Sequence, residues 1–149
     1  MKTVKGDLIQ MALDGEFDVI VHGCNCFCTM GRGIAKQIKQ TFPQAYEADL
    51  NTIKGDKAKL GTISYATIEG KKLIIVNAYT QYNWRGKGVK IDYNAIAKAF
   101  KIIKKNFSGL RIGYPAIGAG LGGGDWAEIA DIINKSLKGE NHTFVQYIG

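Results

Sequence analysis

Two glycine-rich segments constrain this chain more than anything else in its sequence, because each sits between an apolar segment and an amphipathic one. In YPAIGAGLGGGDWAEI, five glycines fall between Gly118 and Gly124, and in HGCNCFCTMGRGIAKQI the run Gly31-Arg32-Gly33 precedes the apolar period of Ile34 and Ile38. Glycine loses more backbone entropy on folding than any other residue, so such loops must gain close approach to another group. Backbone amides at a glycine-rich entry to a helix, with the helix dipole behind them, cradle an anion such as a phosphate. Two of these loops suit a diphosphate. The Rossmann fingerprint is absent, since G-x-G-x-x-G counted from Gly31 needs glycine where Lys36 stands, and no G-K-[ST] of a Walker loop occurs.

Around these loops the chain alternates. Short segments rich in Val, Ile, Tyr or Phe predict strands at Thr3–Lys5, Asp18–His22, Thr62–Ile68, Leu73–Ala78, Arg111–Tyr114 and Thr143–Ile148. Helical periods run through Tyr93, Ile96, Phe100, Ile103 and Phe107, and through Trp126, Ile129, Ile133 and Leu137. A third, ending at Phe42, stops at Pro43, with a further short helix over Gln44–Asn51. Tandem strands joined at Glu69-Gly70 make the sheet mixed, and ligands of such α/β sheets sit beyond the carboxyl ends of the strands.

The 149 residues suit one domain, 1–149, able to bury a core without disulfides or metal. No stretch reaches the roughly 18 apolar residues of a membrane span, and no signal peptide is visible, so a cytoplasmic protein is expected. Cys24, Cys26 and Cys28 form no disulfide framework. With His22 they offer four metal-ligating side chains, but alternate strand residues point the same way without enclosing an ion, so no metal and no cofactor are expected. The formal charge of +7 favours anionic partners.

VKGDLI, VHGCNC, MGRGIA, FPQAYEAD, LIIVNAY and PAIGAGLGGGDW together resemble the macrodomain family of ADP-ribose-binding modules and enzymes. The likeness covers nearly the whole chain and is strongest to the branch with the fungal ADP-ribose 1″-phosphate phosphatase. The branch of ADP-ribosyl-glutamate and DNA-ADP-ribose hydrolases is almost as similar. It implies a three-layer α/β/α fold with a mixed central sheet of about six strands. It also implies that Asp7 accepts the adenine amino group beside Leu8 and Ile9, although Asp7 also suits the cap of a helix over Leu8–Leu13. The same resemblance places Asn25 against the distal ribose and Gly31 and Gly33 beside that ribose and its phosphate, with Met30 and Ile34 as further ligand-binding candidates. Asn77, an amide at a strand's carboxyl end, could position water or a ribose hydroxyl, or initiate a turn. Pro115, Ile117, Gly118, Ala119, Gly120 and Leu121 would surround the diphosphate.

For the chemistry, His22 has the ordinary pKa of an acid/base near neutrality, and with Asn25 it makes the candidate catalytic pair; packing is its bland alternative. Arg32 and Lys36 could supply positive charge. The hydrolase branch uses a lysine after the LIIVNAY strand and an acid in the last glycine loop. Here Gln81 stands at the first position and Gly122 at the second, leaving Lys87, Lys90 and Asp125 as substitutes, with Asp125 better suited to capping a helix. Tyr79, Tyr82 and Trp84 among Arg85, Lys87 and Lys90 have the composition of a stacking surface.

The function expected first is hydrolysis of ADP-ribose 1″-phosphate to ADP-ribose and phosphate. Removal of ADP-ribose from protein or nucleic acid comes second, and a non-catalytic ADP-ribose or RNA reader third. The expected partners are ADP-ribose, its 1″-phosphate and ADP-ribosylated macromolecules, bound by a monomer away from membranes.

Overall fold

The computed structural model describes residues 1–85 and 88–148. Lys87, named above, lies outside the described residues. Strands β1 (Lys2–Gly6), β2 (Val19–Cys24), β3 (Ile63–Ile68), β4 (Leu73–Tyr79), β5 (Ile112–Tyr114) and β6 (His142–Tyr147) form one sheet in the order β1-β6-β5-β2-β4-β3. All the pairings are parallel except that of β3 with β4, whose hairpin turn holds Gly70 at φ +78°.

Helices α1 (Leu8–Leu13), α2 (Gly33–Thr41), α3 (Pro43–Leu50), α4 (Tyr93–Phe107) and α5 (Trp126–Ser136) cover both faces. The two-residue period of a strand decides which face each side chain joins. Val19 and Val21 pack with Ile96, Phe100 and Ile103 of α4 and Ile129 and Ile133 of α5. Ile20 faces the other way, toward Leu8 and Ile9 of α1, Ile38 of α2 and Ala45 of α3. Three layers result, with the mixed sheet in the middle as the sequence implied. Pro43 does more than stop α2. It opens α3 at its first turn, where a missing amide costs nothing. A 3-10 turn over Lys57–Lys59 was not foreseen.

Because β1, β6, β5, β2 and β4 are parallel, their carboxyl ends share one edge of the sheet. The two glycine segments follow β2 and β5, which are neighbours joined through Val19↔Ile112 and Ile20↔Gly113. A clamp closes the start of this short pairing. Arg111 donates from Nη2 and Nε to the two carboxylate oxygens of Asp18 at 3.0 and 3.1 Å, and the Asp18 and Val19 amides donate to the Arg111 carbonyl.

Gly113 is required here by contact. A Cβ on it would stand 2.8 Å from the Phe17 ring, which is buried against the strand. Gly113→Ala is therefore expected to lose about 1–3 kcal/mol by urea denaturation, the usual cost of overpacking a core. A variant as stable as wild type would show that Phe17 moves aside freely.

Candidate functional site

The first wall of the site is the loop from β2 to α2. Asn25 folds it, accepting from the Phe27 amide at 2.8 Å and donating to Thr29 Oγ1 at 2.7 Å. Cys28 and Met30 take left-handed backbone conformations, φ 57° and 38°, which cost non-glycine residues about 1–3 kcal/mol each. Surrounding structure holds them there: the Cys28 thiol donates to the Asp49 carbonyl, and Met30 is buried in the core. Arg32 is the N-cap of α2 but offers no side-chain cap, so the first-turn amides are open to a ligand.

The second wall is the loop from β5 to α5, anchored by buried Ile117 and folded on itself by Gly124 N donating to Gly118 O at 2.7 Å. Gly118 is left-handed, and a Cβ on Gly122 would lie 2.7 Å from the Gly118 carbonyl. Close packing of backbone on backbone is what the glycines allow. Among the described residues, the amides of Gly31, Gly33, Gly118, Gly120 and Leu121 donate to no protein acceptor.

Between the walls run two adjoining cavities. One of about 310 Å³ is lined by Asn25, Thr29, Met30, Gly31, Asp49 and Trp84. The other, about 270 Å³, is lined by Gly33, Ile34, Thr80, Pro115, Ile117, Gly118 and Gly120. Gly23, Arg32, Ala35, Gln81 and Leu121 line both, so the two form one cleft. Gly23 leaves the floor open, since a Cβ there would meet Thr80 Oγ1 at 2.8 Å.

The third side is the segment after β4. Gln81 Nε2 donates to the Asn83 carbonyl at 3.1 Å, and an amide there supplies neither a nucleophile nor a base. The expected stacking surface is dispersed. Tyr79 is wholly buried with its hydroxyl on Asp49, and Tyr82 packs edge-on to Phe27 while donating to the Gly55 carbonyl at 2.8 Å. Trp84 lines the cleft, held by Phe27 on one side with the Arg85 guanidinium over its ring. Lys90 donates to the Leu121 carbonyl, and Lys36 is exposed on α2.

His22, expected as the acid/base, lies apart from the cleft lining. It is wholly buried on the α3 side of the sheet, its Nε2 lying 2.6 Å from Oδ1 of Asn77, its register partner on β4. Asn77, also buried, donates onward to the Ala45 carbonyl of α3 at 2.9 Å and to Ser64 Oγ at 3.0 Å. Neither side chain lines the cleft. Burial pushes the His22 pKa down to about 4, against the raising effect of the Asn77 hydrogen bond, so the ring is neutral near pH 7 and enclosed. Asp125 likewise caps α5, accepting from Ala127 N at 3.0 Å, and lines neither cavity. Ala119 packs against the core beneath its loop. Asp7 caps α1 through Ile9 N and Gln10 N at the end of β1, with Leu8 and Ile9 buried beside it. These three sit on the ligand edge but away from the two cavities.

Sequence reading missed Asp49. Its signal was a carboxylate four residues after Ala45, on the buried stripe of α3. The three thiols find three different surroundings: Cys24 beside His22, Cys26 toward the Gln81 carbonyl and Cys28 on Asp49. Among the described residues no group of three or more His, Cys, Asp or Glu side chains converges as a metal site. Burial raises the Cys24 thiol well above its ordinary pKa and Cys26 to about 11, so neither is a ready thiolate.

Glycine loops at the ends of adjacent parallel strands, within a three-layer mixed sheet, define a class. Residues 21–133 match the Macro domain family, and the chain belongs to that family. It is 37% identical over 148 residues to an uncharacterized 17.5 kDa protein from the tk-vs intergenic region of Enterobacteria phage T4, covering 90% of this chain and 88% of the relative. The DNA ADP-ribosyl glycohydrolase of Mycobacterium tuberculosis is 30% identical over 129 residues, 83% of this chain but 35% of that protein. A 46-residue stretch, 31% of this chain and 21% of the relative, is 46% identical to the ADP-ribose 1″-phosphate phosphatase of Aspergillus oryzae. Among solved structures, the macrodomain of Thermus aquaticus DarG matches with TM-score 0.73 and 24% identity, covering 99% of this chain and 97% of that one. Thermosipho africanus DarTG in complex with ADP-ribose matches with TM-score 0.77 and 21% identity, covering 98% and 41%.

The buried histidine has a measurable consequence. Its folded pKa is depressed, so below pH 6.5 the unfolded chain takes up a proton that the folded protein refuses until about pH 4. Stability should fall across that window, by about 2 kcal/mol from this group between pH 7 and 5. Guanidinium denaturation at both pH values should show a smaller loss for His22→Gln, and an equal loss in both proteins would contradict the assignment.

Proposed function

We propose that the cleft binds ADP-ribose and that the protein hydrolyses the bond joining its distal ribose to a group held at the 310 Å³ end. The observation that carries this reading is the pair of glycine loops with open amides, facing each other across adjacent parallel strands. Such amides suit the diphosphate, and Asp7, at the far end of the same edge, suits an adenine amino group. Membership of the Macro domain family and the solved complex of a structural relative with ADP-ribose support the same ligand.

Release of ADP-ribose from a modified macromolecule, DNA first, is the favoured reaction. Relatives that match most of this chain carry that activity in their names, although the chain spans 35% of the length of the M. tuberculosis glycohydrolase. Electrostatics favours it too. A phosphomonoester brings about −1.5 to −2 charge at pH 7, whereas the pocket opposes the single cation Arg32 with the buried carboxylate of Asp49 among its described lining. Hydrolysis of ADP-ribose 1″-phosphate is the second reading, supported by Arg32 and by the likeness to the fungal phosphatase. His22 serves either reaction by positioning β2 and β4 from below.

Calorimetry with ADP-ribose, together with parallel turnover of ADP-ribosylated DNA and ADP-ribose 1″-phosphate, tests the reading. Binding and release of ADP-ribose from DNA are expected. No binding would sink it, and phosphate release without DNA turnover would install the second reaction. Gly120→Glu gives a sharper check, because a side chain there meets nothing within 4 Å and the fold should tolerate it. A carboxylate beside the diphosphate should weaken ADP-ribose at least about tenfold, some 1.4 kcal/mol, while Gly120→Gln weakens it less. Equal affinities for the two variants would place the diphosphate elsewhere.

A further inference from the structure

Asp49 is a buried carboxylate that the fold has not fully used. It sits on α3 with 1% of its surface exposed, yet it is part of the wall of the 310 Å³ cavity. One oxygen, Oδ1, accepts from the Tyr79 hydroxyl at 2.7 Å. The other, Oδ2, has no hydrogen-bond partner among the described residues. An unpaired buried carboxylate oxygen costs stability, and such groups in native proteins call for an explanation in function. The alternative bases have been removed from the cleft by the structure itself, with His22 enclosed and Gln81 an amide.

We infer that Asp49 is the catalytic base of this cleft, its Oδ2 taking the proton of the water that attacks the distal ribose. The inference rests on the hydrolase reading above. In the step, the water oxygen bonds to C1″ and the bond from C1″ to the leaving group breaks, its electron pair departing with the leaving atom. One water proton passes to Oδ2 and goes on to the leaving atom or to solvent. No co-reactant beyond water is needed.

The surroundings of Asp49 hold it in place and tune it as a base. Tyr79 on β4 fixes its Oδ1, the Lys59 ammonium lies over the Tyr79 ring while donating to the Cys26 carbonyl, and the Cys28 thiol donates to the Asp49 backbone. The thiols of Cys24 and Cys26 lie close by, and Arg32 lines the same cavity. Burial pushes the Asp49 carboxyl up, while Tyr79, Lys59 and Cys28 pull it partly back. A base so raised takes a proton more readily than an exposed aspartate.

Asp49→Asn keeps an acceptor for Tyr79 and removes the base. It is expected to bind ADP-ribose within about threefold of wild type, by calorimetry, while turnover of the active substrate falls at least about 100-fold. Wild-type kcat/KM should also fall with acid along a limb that lies above the ordinary carboxylate range, and this reading stands if the variant folds poorly. Turnover within about threefold of wild type in Asp49→Asn, or a wild-type rate flat down through the ordinary carboxylate range, would overturn the assignment alone. Wild-type protein that binds ADP-ribose but turns over neither substrate would overturn the hydrolase reading and the base with it.

Discussion

The pairing of β2 with β5 is the constraint on which the rest of the cleft depends. It is short, with Val19 opposite Ile112 and Ile20 opposite Gly113, and it alone makes the two glycine loops neighbours. The Asp18–Arg111 clamp stiffens its start, and Phe17 over Gly113 fixes its depth. A register slip of one residue would turn the side chains of β5 to the opposite face and carry its loop away from the first. Parallel pairing then does what hairpins cannot, by leaving both loops at the same edge of the sheet.

Beneath the cleft lies a second device, a buried polar layer that ties helix to sheet. His22 meets Asn77, and Asn77 reaches the Ala45 carbonyl of α3 and Ser64 of β3. One turn further along α3, Asp49 meets Tyr79 of β4. The helix is thus held at two successive turns by buried hydrogen bonds, which are costly to break because they lie out of reach of bulk water. That arrangement gives the histidine a reason to be there without touching a ligand. It also sets Asp49 in the wall of the cavity with one oxygen to spare.

Most of the fold was legible because its period was. The strand and helix boundaries follow from Val/Ile-rich runs and from the stripes of α4 and α5, which local chemistry specifies strongly. The glycine loops were also legible, since five glycines in so few residues have no cheap structural excuse. Side-chain direction was not. His22, Asn77 and Tyr79 read as strand-end residues facing a ligand, whereas β2 and β4 continue through Cys24 and Tyr79 and turn these three under α3. Asp49 escaped because a single aspartate on a short helix looks like a solvated face until the partner layer is known. Asp125 and Asp7 took the capping roles that their positions before helices allowed.

The central claim is that one ADP-ribose lies along the glycine-walled cleft. A crystal structure of the protein with ADP-ribose tests it most directly. The account predicts the diphosphate between the Gly31–Gly33 and Gly118–Leu121 backbones, with the distal ribose in the cavity beside Asp49. Ligand bound anywhere else, or a distal ribose directed away from that cavity, would contradict it.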